Sequence, residues 1–168
     1  MNTEKSPYTH VRHTFEPVYD ENSRILILGS FPSVKSREND FYYGHPQNRF
    51  WKLMARLLDE PLPNTIEEKK AMLLRHRIAI WDVIAACDIK GSSDSSIRNV
   101  TPADLNRVLQ AADIEKIIAN GSTAFSLYKK YCEAQTGRAA VKCPSTSPAN
   151  AVFTLDRLAD EWSRELTL

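Results

Sequence analysis

"RILILGS", Arg24 to Ser30, decides the fold class. An unbroken aliphatic run closed by Gly-Ser has no polar face, so it is expected to be a strand buried on both sides, as in a parallel sheet covered by helices. "IAIWDVIA" (Ile78 to Ala85) and "IEKIIANG" (Ile114 to Gly121) repeat the pattern, and "AAVKCPS" (Ala139 to Ser145) gives a weaker fourth strand.

Helical stretches lie between these runs. "RFWKLMARLLDE" puts Phe50, Leu53, Met54, Leu57 and Leu58 at helical spacing. In "TIEEKKAMLLRHR", Thr65 precedes Glu68 with capping-box spacing. "TPADLNRVLQAA" predicts a helix capped by Thr101 with Pro102 at its first position. "STAFSLYKKYCEAQTG" is expected to stop at Gly137, and "LDRLADEWSREL" supplies a last helix. Strands alternating with helices imply crossover units and an α/β fold, a parallel sheet with helices on both faces. One domain is expected over residues 1–168, with 1–20 a partly extended N-terminal segment. Ligands on such folds bind beyond the carboxyl ends of the strands. The segments there are Gly29 to Asn48, Ala86 to Asn99, Asn120 to Ala124 and Pro144 to Asn150.

The 168 residues are 42% hydrophobic and 26% charged, the composition of a soluble globular protein. A formal net charge of +1 excludes a strongly basic, phosphate-coating protein but allows a small footprint on nucleic acid. No apolar run approaches the roughly 20 residues that cross a bilayer, and the N-terminus has no signal-like apolar region. Cys87, Cys132 and Cys143 are scattered, which argues for reduced thiols in a cytoplasmic setting and against a metal site.

The connection after the first strand is long, a mark of a functional loop. It holds neither GxGxxG nor GxxxxGK[ST], and the chain has no GxSxG, no HExxH and no defensible pair of carboxylates. Hydroxyls, amides and aromatics line the rim instead: Ser30, Ser33 and Ser36, then Ser92, Ser93, Asp94, Ser95 and Ser96, then Asn120, then Ser145, Thr146, Ser147 and Asn150. Hydroxyl and backbone N–H groups suit phosphodiester oxygens, and Phe31, Tyr42 and Tyr43 offer a flat face for a base.

"GSFPSVKSRENDFYYGHPQNRFW" together with "CPSTSPAN" resembles the uracil-DNA glycosylase superfamily, closest to its hypoxanthine (deoxyinosine) DNA glycosylase branch. The mismatch-specific uracil glycosylases are similar too, sharing a Gly-x-x-Pro loop and His-Pro-x-Asn-Arg-Phe-Trp. The resemblance runs in order from the first strand to the last loop. It implies a three-layer α/β/α sandwich, DNA containing deaminated bases as partner, action as a monomer, no cofactor and no metal. Base release needs the nucleotide flipped from the duplex. It then needs a held water, and donors toward the departing base, which stabilise charge only as it develops.

By this resemblance the loop of Gly29, Ser30, Pro32 and Ser33 approaches sugar and phosphate. Phe31 occupies the place where uracil-specific relatives carry a water-positioning Asn or Asp, so the role passes to Asn48 of His-Pro-x-Asn. Tyr43 is expected to stack on the flipped base, with Phe31 beside it, and Asn120 to read its edge. Ser92 and Asp94 shape the pocket. Pro144, Ser145, Thr146, Ser147 and Pro148 form the loop that enters the groove, preceded by Cys143 where a stronger donor is common. His45 and Pro46 fix the turn. Hydrolysis without lyase activity is expected, since Lys35 is the sole nearby amine in sequence.

Each residue has a plainer reading. Asn48 is well placed to cap the next helix. The serines fit a solvated loop, Asn120-Gly121 fits a turn, and His45 fits a turn-locking donor. Lys35, Arg37, Arg49, Lys52, Arg138 and Lys142 fit solvated charges. Two other functions remain open: a mismatch-specific uracil glycosylase, and a nucleic-acid-binding module that kept the fold without the chemistry.

Overall fold

The computed structural model describes residues 7–167. The chain forms β1 (Thr9–Arg12), β2 (Ile25–Gly29), α1 (Val34–Asn39), α2 (Phe50–Leu57), α3 (Ile66–Arg75) and β3 (Ile78–Asp82). Next come β4 (Ile84–Ile89), a 3-10 turn (Asp94–Ser96), β5 (Arg98–Pro102), α4 (Asn106–Ala111) and β6 (Lys116–Asn120). The last elements are α5 (Ser122–Tyr131), α6 (Glu133–Thr136), β7 (Val141–Cys143) and α7 (Leu155–Ser163).

The opening strand sits at the centre of the molecule. β2 pairs in parallel with β3 and with β6, and β6 with β7, giving the order β3-β2-β6-β7. Alternation along β2 divides the core. Ile25 and Ile27 pack with Phe50, Leu53, Met54, Leu73, Leu158 and Trp162 of α2, α3 and α7. Leu26 and Leu28 pack on the other side with Val108 and Tyr128 of α4 and α5, and with Ile84 and Cys87 of β4. The three-layer arrangement therefore holds, with one outer layer shared between helices and a second sheet.

That second sheet, antiparallel with order β1-β4-β5, was not foreseen from the sequence. The expected strand Ile78 to Ala85 breaks at Val83, whose N–H still donates to Gly29 (2.9 Å) while its carbonyl accepts from Ala103 (2.7 Å). The chain then turns away to pair elsewhere. The expected helix start at Thr101 and Pro102 is also corrected: both lie in β5, and α4 begins at Asn106. Pro102 opposes Ile84 at the strand end, where its missing N–H costs nothing, so sheet pairing outweighs a local capping signal. Thr65 does cap α3, accepting from the Glu68 N–H at 3.1 Å, and Gly137 ends α6 at φ 67°. The N-terminal segment contains β1; its residues 1–6 lie outside the described residues. Among the described residues no helix is long and apolar enough to cross a membrane.

Candidate active site

The carboxyl ends of β2, β3 and β6 bring Gly29, Asp82 and Asn120 to one cavity of about 330 Å³. Phe31, Pro32, Ser33, Tyr43, His45 and Asn48 join them from the long connection, which carries the short helix α1. Ser92 and Asp94 enter from the serine loop, and Ser145, Thr146, Ser147 and Pro148 from the loop after β7.

Asn48 and Asn120 are joined through Thr146. The Thr146 hydroxyl donates to Asn48 Oδ1 (2.9 Å), and the same Oδ1 accepts the Phe50 N–H (2.9 Å) at the start of α2. Asn120 Nδ2 donates to Thr146 Oγ1 and Asn120 Oδ1 accepts the Thr146 N–H, both at 3.1 Å. An N–H can be met only by an acceptor, so the Phe50 bond fixes the Asn48 carboxamide with Oδ1 inward. Both of its lone pairs are engaged, and Nδ2 remains for the cavity. Asn48 is not the N-cap residue, a position held by Arg49, but from one place earlier it meets the Phe50 N–H of the first turn while standing at the cavity. Thr146 is fully buried, so within the expected groove-entering loop it is an internal strut.

At the cavity floor stands a group that the sequence reading missed. Asp82, the last residue of β3, is 3% exposed, and its Oδ2 accepts from His13 Nε2 at 2.8 Å. Its Oδ1 lies so close to Gly29 that a Cβ there would meet it at 2.5 Å and the Tyr43 hydroxyl at 3.2 Å. Glycine is required here for close approach of side chains to the β2 backbone. The Tyr43 hydroxyl is buried and donates to no acceptor, with the Asn120 carboxamide beside it as a donor. Burial first, and then the Asp82 charge, pushes that phenol above its ordinary range, so it stays protonated. Tyr43 itself has φ +53°, and one face of its ring stacks on Phe50 at 4.1 Å. Tyr42 is buried and donates to the Glu16 carbonyl, and it borders the cavity together with Tyr43 and Phe31, the other aromatics of the expected platform. A buried acid at a strand end in "IAIWD" was a signal available in the sequence; its histidine partner, from the far N-terminal segment, was not.

The serine loop is tied down over the first strand's exit. Ser30 Oγ donates to Asp94 Oδ1 at 3.0 Å, the Val34 N–H donates to Ser92 Oγ at 2.9 Å, and Arg37 donates to the Gly91 carbonyl. Asp94 sits on an exposed loop with its carboxyl turned inward. Loss of water around it, with a smaller push from Asp82, raises its pKa against the opposing Ser30 bond. Two carboxyls, Asp82 and Asp94, therefore line this cavity, which could not be read from the sequence.

Arg49, read as one of several solvated charges, is instead a clamp. Its guanidinium donates to the carbonyls of Ser147 (2.9 Å), Asn150 (3.0 Å) and Phe153, and its backbone N–H to Thr146 (3.1 Å). The outermost part of the held loop lies beyond the expected stretch: Val152 is 75% exposed. Pro144 is anchored through its carbonyl by the Trp162 indole at 2.9 Å. Cys143 packs in the core, where burial pushes its thiol up to about 12, so it faces no substrate as a thiolate. His45 locks its turn as an acceptor, Nδ1 receiving the Gln47 N–H at 3.1 Å, and not as the expected donor. Pro46 follows in the same turn. Lys35 pairs with Glu38 at 3.2 Å on the surface. Among the described residues no cluster of His, Cys, Asp and Glu is arranged to hold a metal ion.

Comparison with known proteins identifies the family. The family model of the uracil DNA glycosylase superfamily matches residues 16–166. A Methanosarcina acetivorans protein named hypoxanthine DNA glycosylase is 35% identical over 153 residues, covering 90% of this chain and 96% of that protein. A Methanosarcina barkeri protein of the same name is 41% identical over 86 residues, 51% of this chain and 54% of its own. A solution NMR structure from M. acetivorans, provisionally named a uracil DNA glycosylase, superposes with a TM-score of 0.77 at 34% identity. It covers 90% of this chain and 94% of that one.

Proposed function

Since the chain belongs to the uracil DNA glycosylase superfamily, we propose that it hydrolyses the N-glycosidic bond of a flipped deaminated base in DNA, hypoxanthine first, leaving an abasic site. The observation that carries this reading is the cavity floor. Asp82 Oδ1 is an acceptor and the Tyr43 hydroxyl, its proton free, a donor, set side by side against Gly29. The six-membered ring of hypoxanthine presents the complementary pair, an N–H next to a carbonyl. Adenine presents the reverse, a ring acceptor next to an amino donor, and would leave buried polar groups unmet, the strongest form of rejection. Uracil and xanthine share the accepted edge, and so do guanine and thymine; the floor therefore rejects adenine and cytosine, while the preference for deaminated bases is supported by the named activity of the relatives.

Asn48 Nδ2 holds the attacking water by donating to it, and the bonds from Thr146 and Phe50 keep the carboxamide in place while charge develops. Asn120 supports the same loop and, by donating toward the Tyr43 oxygen, turns that hydroxyl's proton toward the base edge. Tyr43, expected to stack on the flipped base, instead meets its edge through the hydroxyl, and Phe31 offers the apolar face, while Gly29, Ser30, Pro32 and Ser33 border the sugar and Ser92 closes the wall. Ser145, Ser147 and Pro148 border the phosphates, and Ala149 to Val152 reach the groove, with Val152 as the apolar wedge. A lyase would need a neutral amine at C1′; Lys35 is exposed and ion-paired, which supports plain hydrolysis. The protein acts as a monomeric, cytoplasmic single-domain enzyme without cofactor.

The test is base release from oligonucleotides carrying inosine, uracil or xanthine, with alkali to reveal abasic sites. Hypoxanthine release fastest of the three is expected. Preferred release of uracil from mismatches would favour the mismatch-specific reading, and tight binding of abasic DNA without any release would favour a silent binding module. A borohydride-trapped covalent adduct would overturn hydrolysis without lyase activity.

A further inference from the structure

The Asp94 carboxyl has no chemical task in the proposed hydrolysis. Asp94 comes from the β4–β5 loop, yet Ser30 holds its Oδ1 at the mouth of β2, one residue along from the Gly29 that touches Asp82. The two carboxyls thus flank successive residues of one strand exit and line one cavity. Their partners differ. Asp82 receives an N–H from His13, which suits an acceptor. Asp94 receives only a hydroxyl, and loss of water around it, with a smaller push from Asp82, favours its neutral form against that bond.

We propose that Asp94 is the general acid that protonates N7 of a departing purine. The inference rests on the proposed glycosylase activity and explains how a cavity of this family would release a purine. Uracil has no ring nitrogen comparable to N7, and its departing charge spreads over two carbonyl groups flanking the ring nitrogens. Hypoxanthine leaves through N9 with a basic N7 available, so a proton delivered there removes the negative charge altogether.

The step balances without any oxidant. The C1′–N9 bond breaks with its electron pair going to the purine, and the Asp94 proton passes to N7. Hypoxanthine departs as the neutral N7–H tautomer. Water held by Asn48 adds to C1′, and its proton returns to the Asp94 carboxylate directly or through solvent.

The groups that face Asp94 are the Asp82–His13 pair from β3 and the N-terminal segment, Arg37 of α1, whose guanidinium bonds the Gly91 carbonyl of the same loop, and the neutral Cys87 thiol of β4. Loss of water around Asp94 is the largest influence on it, and the direction is upward. A base filling the cavity would remove more water and push the same way. An acid whose pKa is raised toward the working pH is what proton transfer to a leaving group requires.

The experiment measures single-turnover base release by wild type and Asp94→Asn from duplexes containing deoxyinosine, 7-deaza-deoxyinosine or deoxyuridine, across pH. The 7-deaza analogue keeps the lactam edge but has carbon in place of N7. Expected are a loss of about 100-fold in hypoxanthine release for Asp94→Asn, and a wild-type rate that falls as pH rises while the variant's does not. On the 7-deaza substrate, wild type should lose its advantage over Asp94→Asn. Any uracil release should be nearly equal in the two proteins. Binding to abasic duplex, unchanged by the substitution, confirms a folded variant; if the variant fails to bind, wild type on the 7-deaza substrate and its pH profile decide alone. Equal slowing on inosine, 7-deaza-inosine and uracil would mark Asp94 as a structural loop residue and overturn the inference, as would wild-type hypoxanthine release by the variant. If wild type releases no base at all, it is the glycosylase reading that fails.

Discussion

The Asn48 carboxamide and the Thr146 hydroxyl, 98 positions apart in sequence, meet at 2.9 Å. This bond joins the start of α2 to the loop after β7, and Asn120 closes the link from the end of β6 through two bonds to the same threonine. The candidate water-holding group is therefore fixed by elements from both halves of the chain. Orientation of this kind is what a preorganised site needs, because a donor that must rearrange during reaction stabilises less.

Asn48→Ala should lower base release by about 100–1000-fold, the usual effect of removing one preorganised hydrogen-bonding group. Thr146→Val should also reduce it, by a smaller factor, because Asn48 and Asn120 stay present but lose their common partner. The valine also leaves buried polar atoms unmet, at about 1–3 kcal/mol in stability. Single-turnover release and urea unfolding measure the two effects. Wild-type release by Asn48→Ala would remove that residue from the mechanism.

Arg49→Lys keeps the charge but loses the fork that grips three loop carbonyls. The loop from Ser147 to Phe153 should loosen, and release from duplex DNA should fall by about tenfold, corresponding to about 1.4 kcal/mol. Release from single strands, where no stack has to be entered, should fall much less. The duplex-to-single-strand ratio is the measurement; an unchanged ratio would mean that the clamp serves stability alone.

The upward direction of the Asp94 pKa carries a stability consequence of its own. In the unfolded chain this carboxyl ionises in the ordinary range, near about 3.9, and in the folded protein at higher pH. Between the two values the folded state holds more protons, so this residue's contribution to stability falls as pH rises, and it levels off above the folded value. Asparagine imitates the protonated form and can still accept from Ser30. Asp94→Asn should therefore melt at a higher temperature than wild type near pH 8, with the difference shrinking toward pH 4. A difference independent of pH would contradict this.

The sequence by itself determined the parallel sheet, its central strand and most of its helices. Aliphatic runs too apolar to face water, and apolar residues at helical spacing, leave few alternatives whatever the rest of the chain does. It also determined the recognisable loops, because "GSFPS", "HPQNRFW" and "PSTSP" are local signatures. Tertiary structure alone decided the rest. "IAIWDVIA" splits at Val83 because Ala103 competes for its carbonyl, and Thr101-Pro102 joins a sheet because Ile84 lies opposite. His13 reaches Asp82 across 69 positions, Ser30 reaches Asp94 across 64, and Arg49 grips carbonyls about a hundred residues away. Such pairings depend on where β2, β3 and β6 end in space, and no local pattern of residues encodes a distance between strand ends. The carboxyls on the cavity, and the tasks proposed for them, belong to that second class.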